Sequence, residues 1–293
     1  MFKSILVHVS GSKADKAVLD EAVNIAGLFD AHLECVHVRP GMAQLAQMAA
    51  QGALGDSGVN LVDTLRSLQK AGAENARKAR ETFDAYCKKQ GIASADAPTR
   101  AGGLSAAFRE VEGEDADTLT GEARSNDIAV LAGGGSKAGL LARDLAQVLT
   151  RSGRPLVLSP SAPPKRAVRN IAVAWKDSAE SARALSAAMP LLVKAAKVLV
   201  LAAGESAGDA TARQKTVKGV IRHLRWHGIA AEWRHLSPGK QGAPEAVLAA
   251  AASADADLLV MGAYGRGRLT EIVFGGFTQR VLKGADLPVF LLH

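Results

Sequence analysis

The densest chemistry in this chain lies near its C-terminal end, in the stretch GAYGRGRLTEIVFGG from Gly262 to Gly276. It follows the apolar run Leu258-Leu259-Val260-Met261 and holds five glycines and two arginines. Gly262 directly follows an expected strand, where a side chain would obstruct a ligand at the strand end. Gly265 falls where the backbone must turn. Gly275 and Gly276 open a helical pattern, FTQRVLKGA, and bare N–H groups at a helix start attract anions. Arg266 and Arg268 can neutralise phosphate oxygens, and Thr278 offers a hydroxyl. The stretch is not a Walker loop, because no Gly-Lys-Ser/Thr follows. It is not the dinucleotide fingerprint either, which belongs after a first strand.

The elements that would position this loop come in a repeat. SILVHVSGSKADKAVLDEAVNIA from Ser4 matches NIAVAWKDSAESARALSAAMPLL from Asn170. Each reads as an apolar strand, a polar turn capped by Ser12 or Ser178, and an Ala-rich amphipathic helix. Further on, AFREV matches EWRHL, SNDIAVLAGG matches DADLLVMGAY, and RSGRPLVLSP matches KGADLPVFLLH. Alternating strands and helices call for parallel sheets with right-handed crossovers, and ligands bind beyond the strand C-termini where strand order reverses. The expected class is therefore α/β, with two Rossmann-like five-stranded parallel sheets of order 3-2-1-4-5 forming a pseudo-dimer in one chain. The expected domains are 1–160 and 168–293, joined by the Pro- and Ser-containing segment near 159–169.

The spacing Gly262-x2-Gly265-x9-Gly275, after the fourth strand of such a unit, resembles that of the ATP-binding class of universal stress proteins. ILVHVSGS and IAVAWKDS resemble the family's first strand and turn, and RPLVLSP and LPVFLLH its last strand. Two units in one chain resemble the tandem type, and the fold implied is adenine nucleotide alpha hydrolase-like. The resemblance implies phosphates against Gly262, Gly265, Gly275 and Gly276. It places adenine and ribose near the turn from Ala174 to Asp177, near Ala202 and Ala203, and near Met261. ATP or a related adenine nucleotide, with Mg compatible, is the implied cofactor. It also implies that the last strands pair, here within one chain. Two positions depart from the family: Gly276 stands where Ser or Thr is usual, and Lys176 stands at the aspartate position, with Asp177 beside it. Adenine specificity then rests on Asp177 or on other contacts.

The first half has a reduced version of the loop. LAGGGSKAGLLARDLAQ keeps Gly135 but has Ala132 and Ala142 in place of Gly262 and Gly275, and the span between them is three residues shorter. Ser10 stands at the aspartate position. This half reads as a structural partner with a degenerate pocket, the alternative being a different anion on Gly133–Gly135.

Composition sets outer limits. The chain has 293 residues, 48% hydrophobic and 22% charged, enough for a proper core. Residues 1–160 hold 18 Lys and Arg against 19 Asp and Glu, whereas 161–293 hold 18 against 10, so the overall charge of +7 sits in the second half. That excess suits an anionic partner, or simply a soluble basic surface. Cys35 and Cys87 are far apart with no ligand spacing, which argues against a zinc site or disulfide framework. The N-terminal run is too short and interrupted for a signal peptide or a membrane span, so a cytoplasmic protein is expected. Residues 41–58 have no counterpart in the second half; Met42, Leu45 and Met48 recur at helical spacing, as a lid or a packing helix would require. His223 and His227 read as surface or packing residues, and His8 and His37 as hydrogen-bonded structural ones. Arg77-Lys78-Ala79-Arg80, flanked by Glu74 and Glu81, reads as a solvated helix face. Nucleic-acid binding lacks interleaved aromatics. Two functions remain: a nucleotide-responsive stress protein, with any hydrolysis slow because no general base is identified, and an interaction protein, free to form homo-oligomers, that binds no nucleotide.

Overall fold

The computed structural model describes residues 1–55, 60–97, 103–133, 140–164, 166–204, 210–263 and 276–293. The first half runs β1 (Ser4–His8), α1 (Asp15–Ala26), β2 (His32–Arg39), α2 (Met42–Gly55), α3 (Leu61–Gln90), β3 (Ala93–Ser94), β4 (Ser105–Glu112), α4 (Asp115–Arg124), β5 (Ile128–Ala132), α5 (Ala142–Arg151) and β6 (Leu156–Ser159). The second runs β7 (Asn170–Ala174), α6 (Ala179–Lys194), β8 (Lys197–Ala203), α7 (Ala210–Trp226), β9 (Ala231–Leu236), α8 (Ala243–Ser253), β10 (Leu258–Gly262), α9 (Gly276–Gly284) and β11 (Val289–Leu292).

The strands form one eleven-stranded sheet in the order β3-β4-β2-β1-β5-β6-β11-β10-β7-β8-β9. The expected pairing of the last strands is present, and it merges the two expected five-stranded sheets into one. All pairings are parallel except that of β6 with β11, where Val289 opposes Leu158 and Leu291 opposes Leu156. The cause is the unpaired edge that each last strand would otherwise leave. The short β3, which sequence patterning missed, pairs with β4 at the outer edge.

Side chains alternate across the strands, so Ile5 and Val7 enter one core and Leu6 the other. The first core is covered by α1, α3, α6 and α7, and the second by α4, α5, α8 and α9. Both cores run through the two halves. The repeat is visible in hydrogen bonding as well. Asp127, just before β5, accepts from the N–H groups of Lys3 (2.6 Å) and Ser4 (3.1 Å). Asp257, just before β10, accepts from those of Arg169 (3.1 Å) and Asn170 (2.8 Å). The Asp127 carboxylate ties β1 to β5, and that of Asp257 ties β7 to β10.

Helix α3 begins where Asn60 accepts from the Val62 N–H (2.9 Å) and ends at Gly91, whose φ of 65° suits glycine. Its buried residues Ala76, Ala79, Phe83 and Tyr86 form a stripe at helical spacing. Arg77 pairs with Glu74 and Glu81 as expected of a solvated face, but Arg80 lies over the Phe108 ring at 4.3 Å and so belongs partly to the packing. The 41–58 segment contains the expected helix, α2. Leu45 and Ala49 are its buried contacts, whereas Met42 and Met48 stay largely exposed. Cys35 and Cys87 are free. Among the described residues no helix is long and apolar enough to cross a membrane.

Candidate functional site

The predicted site residues converge in part. Met261 and Ala174 are register partners in β10 and β7, and Ala202 lies one residue past Leu201, the β8 partner of Ala174. All three are buried at the strand C-termini, Ala174 and Met261 in one core and Ala202 in the other. Lys176 and Asp177 are exposed in the turn that leaves β7. Gly276 and Thr278 open α9, with Thr278 buried. Gly265, Arg266, Arg268 and Gly275 lie outside the described residues.

Gly262 has a reason different from the one read in the sequence. A Cβ there would stand 2.5 Å from the carbonyl carbon of Glu180 and the nitrogen of Ser181. The first turn of α6 is seated on the end of β10, so this packing by itself requires glycine. Among the described residues, a Cβ at Gly276 would meet nothing within 4 Å.

The two strand-to-helix turns differ in their polar groups. In the second half, Ser178 caps α6 as expected, its hydroxyl accepting from Ser181 N–H at 3.3 Å. The Ser181 hydroxyl in turn accepts from Lys176 N–H at 3.4 Å. In the first half, Ser12 is not the cap. Asp15, three residues on and buried, accepts from the N–H groups of Ser10 (2.9 Å), Gly11 (2.7 Å) and Ser12 (3.1 Å) and from the Ser10 hydroxyl (2.8 Å). An anion approaching this turn would find its donors already taken by a carboxylate. Gly11 has φ 82°, and a Cβ on it would collide with the backbone of Asn75 in α3, so α3 is seated on the turn.

Sequence reading missed Asp15, its neutral counterpart Ser181 and Trp175. The indole Nε1 of Trp175, directly after β7, is buried without a partner among the described residues. The unmatched pair Asp15 and Ser181, each three residues past the aligned serine, was the available signal.

His37 donates from Nδ1 to Val9 O at 2.8 Å, as a structural histidine would. His8 is buried but makes no side-chain hydrogen bond among the described residues. Burial, reinforced by nearby His37, depresses its pKa to about 4 and keeps the ring neutral at pH 7. His223 and His227 are exposed and stack edge to face at 4.9 Å. Among the described residues no group of three or more His, Cys, Asp and Glu could hold a metal.

The model of the universal stress protein family matches residues 1–150 and again 167–293. The chain belongs to the universal stress protein family and carries two copies of its unit in tandem. No curated protein matches it. Two solved structures share its fold over nearly the whole length. A universal stress protein from Archaeoglobus fulgidus DSM 4304 is 18% identical, with 99% of this chain and 95% of that one covered and a TM-score of 0.68. A functionally unknown protein from Pseudomonas aeruginosa PAO1 is 14% identical, with 99% and 92% covered and a TM-score of 0.57.

Proposed function

We propose that this universal stress protein binds ATP or a related adenine nucleotide in a C-terminal domain, 168–293, and signals through occupancy of that site. The observation that carries the reading is the spacing Gly262-x2-Gly265-x9-Gly275 between β10 and α9. Three features support it: the clearance at Gly276 among the described residues, the apolar Ala174 and Met261 on one face of the strand ends, and the buried N–H of Trp175, which has no acceptor among the described residues. The +8 excess of residues 161–293 favours an anion in this half. Arg266, Arg268 and the first amides of α9 would hold the phosphates, Lys176 would add a cation, and Thr278 could donate a hydroxyl. Asp177 would replace the missing aspartate on the ribose. Mg, if bound, would rest mainly on phosphate oxygens and water. The chain is a binder rather than a catalyst, since no assigned base stands ready to activate water and any hydrolysis would be slow. It would act in the cytoplasm, alone or as a homo-oligomer, without membrane or nucleic acid.

The second reading, an interaction protein without nucleotide, is favoured by one observation. Packing on α6 already requires glycine at 262. Chromatography of an acid extract of the purified protein separates the two. The proposed function predicts an adenine nucleotide in amounts approaching one per chain, and a nucleotide-free extract that also stays empty after incubation with ATP would favour the second reading.

A further inference from the structure

The first half has lost the family's glycine loop but not its cavity. About 570 Å³ of space lies over the C-termini of β1 and β2, roofed by α2 and α3 and flanked by the starts of α4 and α5. That is within the usual size of small-molecule sites, roughly 300–1,000 Å³. Its contents differ in kind from a phosphate site. The turn donors that would receive an anion are bonded to Asp15. The charged residues of the lining are Glu114, Asp115 and Asp144 against Arg143, which pairs with Asp144 at 3.3 Å.

Two further groups point to a ligand that donates hydrogen bonds. The Oε1 of Gln44 is buried without a partner among the described residues, and Gln44 lines the cavity. His8, only 7% exposed, lines the same cavity and has no side-chain hydrogen bond among the described residues. His37, held by its Nδ1 bond to Val9 O, lines the cavity as well. Asp115, likewise without a side-chain hydrogen bond among the described residues, is pushed towards its neutral form by desolvation and by Asp144. A cation placed beside these two carboxylates would relieve both effects. The rest of the wall is apolar, with Leu45, Met48, Leu68 and Leu140.

We infer that this cavity is a binding site for a small organic cation: an amine whose N–H groups meet Gln44, Asp115 and the histidines, and whose apolar body lies against α2 and α3. It is separate from the proposed nucleotide site and does not depend on it. Helix α2, which the second half lacks, supplies Gln44, Leu45 and Met48, so the insertion gives this half its own ligand chemistry.

The test is calorimetric titration at pH 7.5 with tryptamine and phenethylamine as probes and indole-3-propionate as the anionic control. At least one amine binds the wild type saturably, and the acid does not. Asp115→Asn removes one charge and weakens amine binding tenfold or more. Gly72→Leu is the second variant. A Cβ at Gly72 meets nothing within 4 Å, so the new side chain can enter the cavity, and leucine favours a helix over glycine. It is expected to melt no lower than wild type, to lose amine binding, and to leave ATP titration unchanged. The inference is overturned if neither amine binds, if the acid binds as well as the amines, or if folded Gly72→Leu binds them as the wild type does. Loss of ATP affinity in Gly72→Leu would also overturn it, because the nucleotide would then occupy this cavity.

Discussion

At Gly262 a new Cβ has no room, because the backbone of α6 stands 2.5 Å away, whereas at Gly276 it has nothing within 4 Å among the described residues. These glycines flank one loop and respond differently to substitution. Gly262→Val is expected to destabilise the protein by about 1–3 kcal/mol through overpacking, seen as a lower thermal midpoint with or without nucleotide. An unchanged midpoint would mean that α6 does not press on β10. Asp15 permits an equally direct test. Replacing it by alanine strips three backbone N–H groups of a charged acceptor and should cost roughly 2–3 kcal/mol in denaturant unfolding. A cost near zero would show that water replaces the carboxylate. The glycine spacing of the loop was legible in the sequence, because glycines beside a strand end imply a close approach. What the approach is to was not legible, since the α6 backbone that meets Gly262 is some eighty residues earlier in the chain. Asp15 was hidden for a similar reason: an acid in the first turn of a helix reads as a dipole partner, and only the fold bends the preceding turn around it.

Among the elements, α1 carries an unusual burden. Glu21 on its buried face has both carboxyl oxygens buried without partners. Desolvation first, then Asp257 and Asp20, push its pKa up to about 8. The folded state thus holds a proton that the unfolded chain releases above its ordinary value of 4.5, so this group favours folding at low pH and loses that effect as pH rises to about 8. His8 has the opposite sign. Its folded pKa of about 4 lies below the ordinary 6.5, so stability rises with pH over that interval. The two slopes offset one another between about 4.5 and 6.5, and only the Glu21 slope remains from 6.5 to 8. Stability should therefore fall across that upper window, by up to about 1.4 kcal/mol per pH unit from this group, and Glu21→Gln should flatten the fall. Chemical denaturation at a series of pH values reads both, and an equal decline in the variant would assign it elsewhere. Elements with strong local signals were legible: the Met42-Leu45-Met48 spacing marks α2, and Arg77 with Glu74 and Glu81 marks a solvated face of α3. The two-residue β3 had no pattern to read, and the α2 spacing could not tell which methionines would be covered.

Over the whole molecule, the pairing of β6 with β11 turns two repeats into one sheet with cores common to both halves. The repeat itself was readable, because matched strands and turns recur in order. So was the pairing of the last strands, because each is short and apolar and would otherwise leave a bare sheet edge, although neither strand shows locally in which register they meet. Removing residues 287–293 deletes β11, whose Val289, Phe290 and Leu291 are buried, and uncovers β6 and β10. Size-exclusion chromatography should then find aggregates, and a soluble species unchanged from wild type would refute the role given to this seam. The central claim concerns the second half, and one titration addresses it most directly: ATP into wild type and into Gly276→Val, followed by calorimetry. The side chain at 276 has open space among the described residues and would collide with a phosphate seated on α9. The account predicts saturable binding to wild type and an affinity lower by tenfold or more in a variant of unchanged melting temperature. Equal affinity in both proteins, or no binding to wild type, would contradict it.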